Sequence, residues 1–256
     1  MRVLGYIAAV GLLVANHCGD MPRDNPLDPK NPRSQRQRVV LAEAFVSDDP
    51  SALYCPQALD ALAQLQAEVG TASLLVAEYH LSNPGKWVDS YALAEARLRY
   101  EELASEGLGI PDVFFSGSAG RVQGAHSVST AYERYRRQFD NCSATPSLFT
   151  IEAQARRGTQ DKEIQVSLAR LGSTPAEGVM VRALILQDAG VDRHHNVVKA
   201  LLPGQHIAVL QPGEVVQATF RVSGNVLNGD KNWLLVFVES RDERARVVEQ
   251  VTAVGL

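Results

Sequence analysis

Apolar positions along the chain fall into two regimes. Up to about residue 142, strand-like runs alternate with stretches of helical period; beyond about residue 148 only strand-like runs occur. Val39 to Val46 (VVLAEAFV) reads as a buried strand. Pro56 to Val69 places Leu59, Leu62, Leu65 and Val69 at three- to four-residue spacing, which predicts an amphipathic helix with proline in its first turn. Ser73 to Leu81 is a second strand. Asp89 to Leu103 is a second helix with Tyr91, Leu98 and Leu103 among its apolar positions. Asp112–Ser116 and Arg121–Ala125 form a hairpin around Gly117, Ala119 and Gly120. Ser127 to Phe139 is a final helix whose apolar side carries Tyr132, Tyr135 and Phe139. The later strands are Leu148–Ala155, Glu163–Leu171, Val179–Leu186, Val197–Leu202, Val215–Val222, Trp233–Glu239 and Val247–Val254. Alternation is clearest at Ile164, Val166, Leu168 and at Leu234, Val236, Val238.

The first regime runs strand, helix, strand, helix, hairpin, helix, which is the chain order of a thioredoxin core. The first two strands, joined by a helix, form a crossover that is expected to be parallel and right-handed. The second regime predicts an antiparallel, immunoglobulin-like β-sandwich. The expected class is therefore α/β plus all-β, with a thioredoxin-like domain over 38–143 and a sandwich over 144–256. A short polar linker, Asn141 to Pro146, separates them.

The N-terminus changes the picture of the compartment. Arg2 precedes an uncharged, mostly apolar run from Val3 to Ala15, too short to span a bilayer comfortably. The run ends at Cys18, where a bacterial lipoprotein is cleaved and acylated, so residues 1–18 read as a lipoprotein signal. His17 departs from the small residue usual before that cysteine. Residues 19–37, rich in Pro, Asp, Asn and Arg, bury too little apolar surface to offset their ordering entropy and read as a disordered tether. The NPLDP stretch within them is similar to the tether motif that follows the lipidated cysteine in envelope lipoproteins.

Composition mainly excludes. A net charge of -4 with 21% charged residues gives no basic excess for nucleic acid. Three cysteines, Cys18, Cys55 and Cys142, form neither a CxxC nor a zinc knuckle. Cys55 and Cys142 belong at opposite ends of a thioredoxin topology, which argues against a disulfide between them. No phosphate loop or nucleophile elbow occurs. His194 and His195, near Asp188 and Asp192, read as a solvated turn, because neighbouring side chains diverge too far to share an ion. His80 and His126 read as scattered. No metal site and no cofactor is expected.

In a thioredoxin fold the chemistry sits where the first strand hands over to the helix. There a thiol at the helix N-terminus has its pKa lowered by the dipole and free N–H groups. Here that segment reads Ser47-Asp48-Asp49-Pro50-Ser51-Ala52-Leu53-Tyr54-Cys55-Pro56. Cys55 before Pro56 matches the second cysteine of the motif, and Ala52 stands where the attacking one belongs. Ile110-Pro111 matches the proline held in cis beside such sites. The strand and CP-helix at Phe45 to Leu59, the lipoprotein-like start, Gly109-Ile110-Pro111, and the segment from His195 to Pro203 (HNVVKALLP) together resemble the outer membrane protein 28 related family of envelope lipoproteins. That resemblance implies a lipid-anchored protein of the outer membrane or cell surface with a peptide or envelope-protein partner. With Ala52 in place, a non-catalytic binding or structural role is expected, with Tyr54, Trp87, Ile110 and Pro111 as ligand-binding candidates. The alternative is a periplasmic thiol oxidoreductase acting through Cys55 alone.

Overall fold

The computed structural model describes residues 25–256 apart from 32, 105, 119, 157–160, 191–193, 228–230 and 242–244. The signal segment, Cys18 and Asp192 lie outside the described residues.

The first half follows the predicted order. Strand β1 (Val40–Val46) is buried throughout. Helix α1 (Cys55–Val69) has proline in its first turn and buries Leu59, Leu62 and Leu65, as their spacing dictates. It carries the chain to β2 (Leu74–His80), which lies parallel to β1 with Val40 opposite Leu74 and Val46 opposite His80. Helix α2 (Ala94–Leu103) leads to the hairpin of β3 (Asp112–Phe115) and β4 (Gly120–Gln123), and β3 pairs antiparallel with β1. Helix α3 (Val128–Ser143) is capped by Ser127, whose Oγ accepts from the Thr130 N–H at 3.3 Å. Helices α1 and α3 share one core with the even-numbered residues of β1, from Val40 to Val46.

Helix α2 departs from expectation in two ways. It starts at Ala94 rather than Asp89 because the Asp89 carboxylate is engaged elsewhere: Oδ1 accepts from Tyr91 N–H in a local turn and Oδ2 from Asp48 N–H. Its buried face is also not the apolar one, since Leu98 is exposed while Arg99 is among the largest fully buried side chains.

The second half is an antiparallel two-sheet sandwich. Strands β5 (Phe149–Arg156), β6 (Lys162–Arg170) and β9 (Val215–Val222) form one sheet in the order β5-β6-β9. Strands β7 (Ala176–Gln187), β8 (Val197–Leu210), β10 (Asn232–Arg241) and β11 (Arg246–Gly255) form its partner. Ile164, Val166 and Leu168 point into the core between them, together with Ile185, Leu234, Val236 and Val238.

The two halves are not beads on a linker. Glu78 of β2 pairs in parallel with Val197 of β8, so one eight-stranded sheet runs β11-β10-β7-β8-β2-β1-β3-β4 through both. The sheet curls until β11 meets the far end. Val248 N–H donates to Ser116 O at 3.0 Å, and Arg38 Nη1 to Val248 O at 2.8 Å. Helix α2 lies within the curl, where Phe45, Tyr79, Tyr100 and Phe114 share a core with Leu235, Phe237, Val248 and Val251. Strand β10 is therefore buried on both faces, which accounts for its unbroken apolar run WLLVFV.

The expected tether is corrected over residues 25–37. Asn25, Asp28 and Asn31 each accept a backbone N–H two residues on, closing successive turns. Ser34 is buried, and its Oγ accepts from Gly172 N–H at 3.0 Å. Arg36 and Ser147 exchange backbone bonds of 2.9 and 2.8 Å. The segment is poor in apolar side chains, but side-chain turns and backbone pairing with the sandwich replace the missing hydrophobic burial.

Candidate functional site

Three loops converge at the C-terminal end of β1 and β2: residues 47–54, 81–93 and 106–111. In the first, Asp49 Oδ1 accepts from both the N–H and the hydroxyl of Ser51 at 2.8 Å. Ala52 N–H donates to Asp49 O, and Cys55 N–H to Ala52 O at 3.0 Å. Ala52 thus sits one tight turn before α1, where its sequence position places it. Its methyl group lines an open cavity of about 490 Å3 together with Ser47, Asn83, Pro84, Tyr100, Leu108 and Ile110. The Ile110-Pro111 bond is cis. The wall behind it is held by Tyr100, whose hydroxyl accepts from Gly109 N–H at 2.9 Å and donates to Asp112 Oδ2 at 2.8 Å, while Arg121 grips the same carboxylate.

Cys55 is shut away behind this surface, 1% exposed. Burial pushes its thiol up to about 11, and a backbone hydrogen bond with Ser47 offsets only part of the rise. A thiol so placed is a poor nucleophile at neutral pH. Cys142 is also free, with Sγ 3.4 Å from Phe115 O.

The aromatic candidates ring the cavity rather than line it. Tyr54 is exposed and leans on His126, with ring centroids 6.0 Å apart. Trp87 Nε1 donates to Asp48 Oδ1 at 2.6 Å, which ties the second loop to the first. Beside them Leu53 is 66% and Val88 84% exposed, and Leu108 is exposed in the third loop. Large apolar side chains left in water from all three loops make this end of the molecule unlike an ordinary solvated surface.

Beneath the rim lies a polar cluster that the linear order disperses. His80, at the end of β2, is fully buried, and its Nδ1 lies 2.9 Å from Asp89 Oδ2. Its ring packs edge-on against Tyr91 and His194, each at 5.0 Å. Glu78, two residues earlier on the same strand face, accepts from Asn196 N–H at 3.0 Å through Oε1, and its Oε2 lies 3.4 Å from His194 Nδ1. Burial disfavours the charged form of His80, but Asp89 and Glu78 outweigh it and lift the imidazole to about 9. Burial likewise works against Asp89, which its bond to His80 nevertheless draws down to about 2. His195 turns the other way, toward Asp188 at 3.1 Å. His80, read from the sequence as a scattered histidine, thus meets Glu78 and His194 in the fold. The two-residue spacing of Glu78 and His80 is the one signal in the sequence; the arrival of His194 depends on where β8 docks.

No family model and no curated protein matches this chain. Solved structures do resemble it. HBP35 of Porphyromonas gingivalis superposes with a TM-score of 0.63 over 86% of this chain and 76% of that one, at 11% identity. Protein AGR_C_4864 from Agrobacterium tumefaciens does so with a TM-score of 0.52 over 86% of this chain and 95% of that one, at 18% identity. Likeness at such identities speaks to the fold alone. Among the described residues no helix is long and apolar enough to cross a membrane.

Proposed function

We propose that this chain is an envelope-tethered binding module, anchored through lipid at Cys18, whose thioredoxin-like half holds an extended apolar peptide without exchanging disulfides. The carrying observation is the rim itself: Leu53, Tyr54, Trp87, Val88 and Leu108 stand exposed around a cavity that Ala52 lines. The parallel β1–α1–β2 crossover, the β3–β4 hairpin and the proline at 111 support the thioredoxin-like reading. The immunoglobulin-like sandwich then serves as a spacer or second adhesion surface, continuous with the first half because β8 and β2 share one sheet.

Screening the full chain against an array of immobilised extended peptides tests the reading. Binding is expected to favour peptides with large apolar side chains. Trp87→Ala should weaken it about tenfold or more, the loss typical of an aromatic anchor, and Ala52→Arg, which fills the cavity, should abolish it. Equal binding by all three proteins would overturn the assignment. The same preparations, expressed in a bacterial envelope, should take up labelled palmitate unless Cys18 is replaced by serine.

Thiol chemistry gives a separate check. A rise from 9.0 to about 11 leaves Cys55 about 100-fold less thiolate than an ordinary cysteine at neutral pH, before its burial is counted. Native protein is expected to react with iodoacetamide at Cys55 at least that much more slowly than denatured protein. Rapid labelling in the native state would instead support an oxidoreductase acting through Cys55.

A further inference from the structure

We propose that Glu78, His80 and His194 form a binding site for one divalent transition-metal ion with the ligand preferences of zinc. One donor atom from each of Glu78, His80 and His194 lies within 4.8 Å of the other two. Glu78 Oε2 is 3.4 Å from His194 Nδ1 and 3.9 Å from His80 Nε2. A tetrahedral ion bonded at about 2.0–2.1 Å holds its donors about 3.3–3.4 Å apart. The first pair is at that spacing already, the second needs a closure of about half an ångström, and the two imidazoles, whose donor atoms lie within 4.8 Å, must close by up to about 1.4 Å, which a rotation of the loop-borne His194 ring can supply.

The remaining polar atoms are arranged as outer partners of such a site. Asn196 N–H holds Glu78 Oε1, which leaves Oε2 as the atom facing the two rings. Asp89 Oδ2 faces His80 Nδ1 and holds a proton there, so an ion that displaces the Nε2 proton would meet a lone pair directed into the cluster, as in carboxylate–histidine–metal arrangements. His80 Nε2 is the independent sign that something belongs there. Its side chain is 0% exposed, and the atom has no hydrogen-bond partner, since 3.9 Å to Glu78 is beyond hydrogen-bonding range. A buried polar atom is rarely left so. Two imidazoles and a single carboxylate favour zinc, cobalt, nickel or copper over magnesium or calcium, which take mainly oxygen.

Access and consequence follow from the fold. A cavity of about 220 Å3 opens beside Glu78 and Asn196, which brings solvent to the carboxylate's side of the cluster. The site also spans the join between the halves, because Glu78 and His80 belong to β2 while His194 lies three positions before the start of β8, next to the Glu78–Val197 pair. A bound ion would clamp that join.

The test uses the full chain, stripped with chelator and dialysed against Zn2+, with bound metal measured by mass spectrometry and Co2+ substitution followed by its visible absorption. One ion per chain is expected, with a tetrahedral cobalt spectrum and a raised melting temperature. Glu78→Gln, which keeps the Asn196 bond, and His194→Ala, in a loop, should each lose the ion while remaining folded by circular dichroism. Asp89→Asn should weaken binding about 10–100-fold. Should Glu78→Gln unfold the chain, His194→Ala alone decides. Folded wild-type protein that takes up neither Zn2+ nor Co2+ would overturn the proposal and leave His80 as an imidazolium between two carboxylates. Uptake unchanged in His194→Ala would overturn it equally, placing the ion on other side chains.

Discussion

Arg99→Ala is expected to cost about 3–5 kcal/mol of stability, because it strands the buried Glu43 carboxylate. The Arg99 side chain is 1% exposed. Its Nε and Nη2 donate to the two oxygens of Glu43, each at 2.9 Å, and its Nη1 lies 2.7 Å from Glu239 Oε2. Glu43 is fully buried on β1, where Tyr79 also donates to it, and Glu239 belongs to β10. One guanidinium therefore pairs with an acid from each half of the molecule and stacks over Phe237 at 5.7 Å. Its removal leaves the Glu43 carboxylate buried without a cation, while Glu239 keeps Arg182 at 3.3 Å and Arg246 at 2.9 Å. Replacing Arg99 and Glu43 together with apolar residues should be milder than Arg99→Ala, because no charge is then stranded.

The same cluster sets an acid limit. Burial pushes the Glu239 carboxyl up, but Arg99 and Arg182 beside it prevail and hold it below its ordinary value of 4.5. A depressed folded-state pKa means the stabilisation is fully present above the unfolded value and is lost as pH falls through the folded one. Urea midpoints should thus be insensitive to Glu239 above about pH 5 and decline below pH 4.5. Arg99→Ala should flatten this part of the profile. A variant within about 1 kcal/mol of wild type, with the same acid limb, would show that Arg99 is not what holds the halves together.

Gly117→Val is expected to cost about 2–4 kcal/mol, combining a strained backbone with overpacking. Gly117 has φ of +94°, which a β-branched residue rarely adopts. A Cβ there would meet Arg246 O at 2.1 Å and Val247 Cα at 3.1 Å, both backbone atoms that cannot swing aside. The turn between β3 and β4 clasps the start of β11 at this point. Ser118 N–H donates to Arg246 O at 2.9 Å, and Arg246 N–H to Ser118 Oγ at 3.1 Å. Hydrogen exchange at Ser118 and Val248 should quicken well before exchange in α1 does. Gly124→Ala is the control, because φ is +77° but nothing lies within 4 Å of the added Cβ. It should lose only the backbone part, about 1 kcal/mol. Equal losses in the two variants would mean that the clasp contributes nothing.

Much of this molecule is legible residue by residue. Leu59, Leu62 and Leu65 predict a helix face and are buried; Ile164, Val166 and Leu168 predict a strand face and are buried. Short-range turn chemistry is less visible. Asp89 reads as a helix residue until its carboxylate is seen serving Asp48, His80 and Tyr91. Asn25, Asp28 and Asn31 read as disorder until their turns are seen paired to a surface supplied by Ser147 and Gly172.

By itself the sequence determined the alternation of strands and helices, the change to all-strand after residue 148, and the presence of alanine rather than cysteine three positions before Cys55. Each is set by local periodicity or by the identity of a single side chain. Only the tertiary structure decided that both halves share one sheet, that a charged Arg99 occupies a helix's buried face, and that His194 meets Glu78 and His80. Periodicity says which face of an element leaves water but not what covers it. Those partners lie tens to more than a hundred positions away, and the docking of β8 against β2 and of α2 inside the curled sheet brings them together.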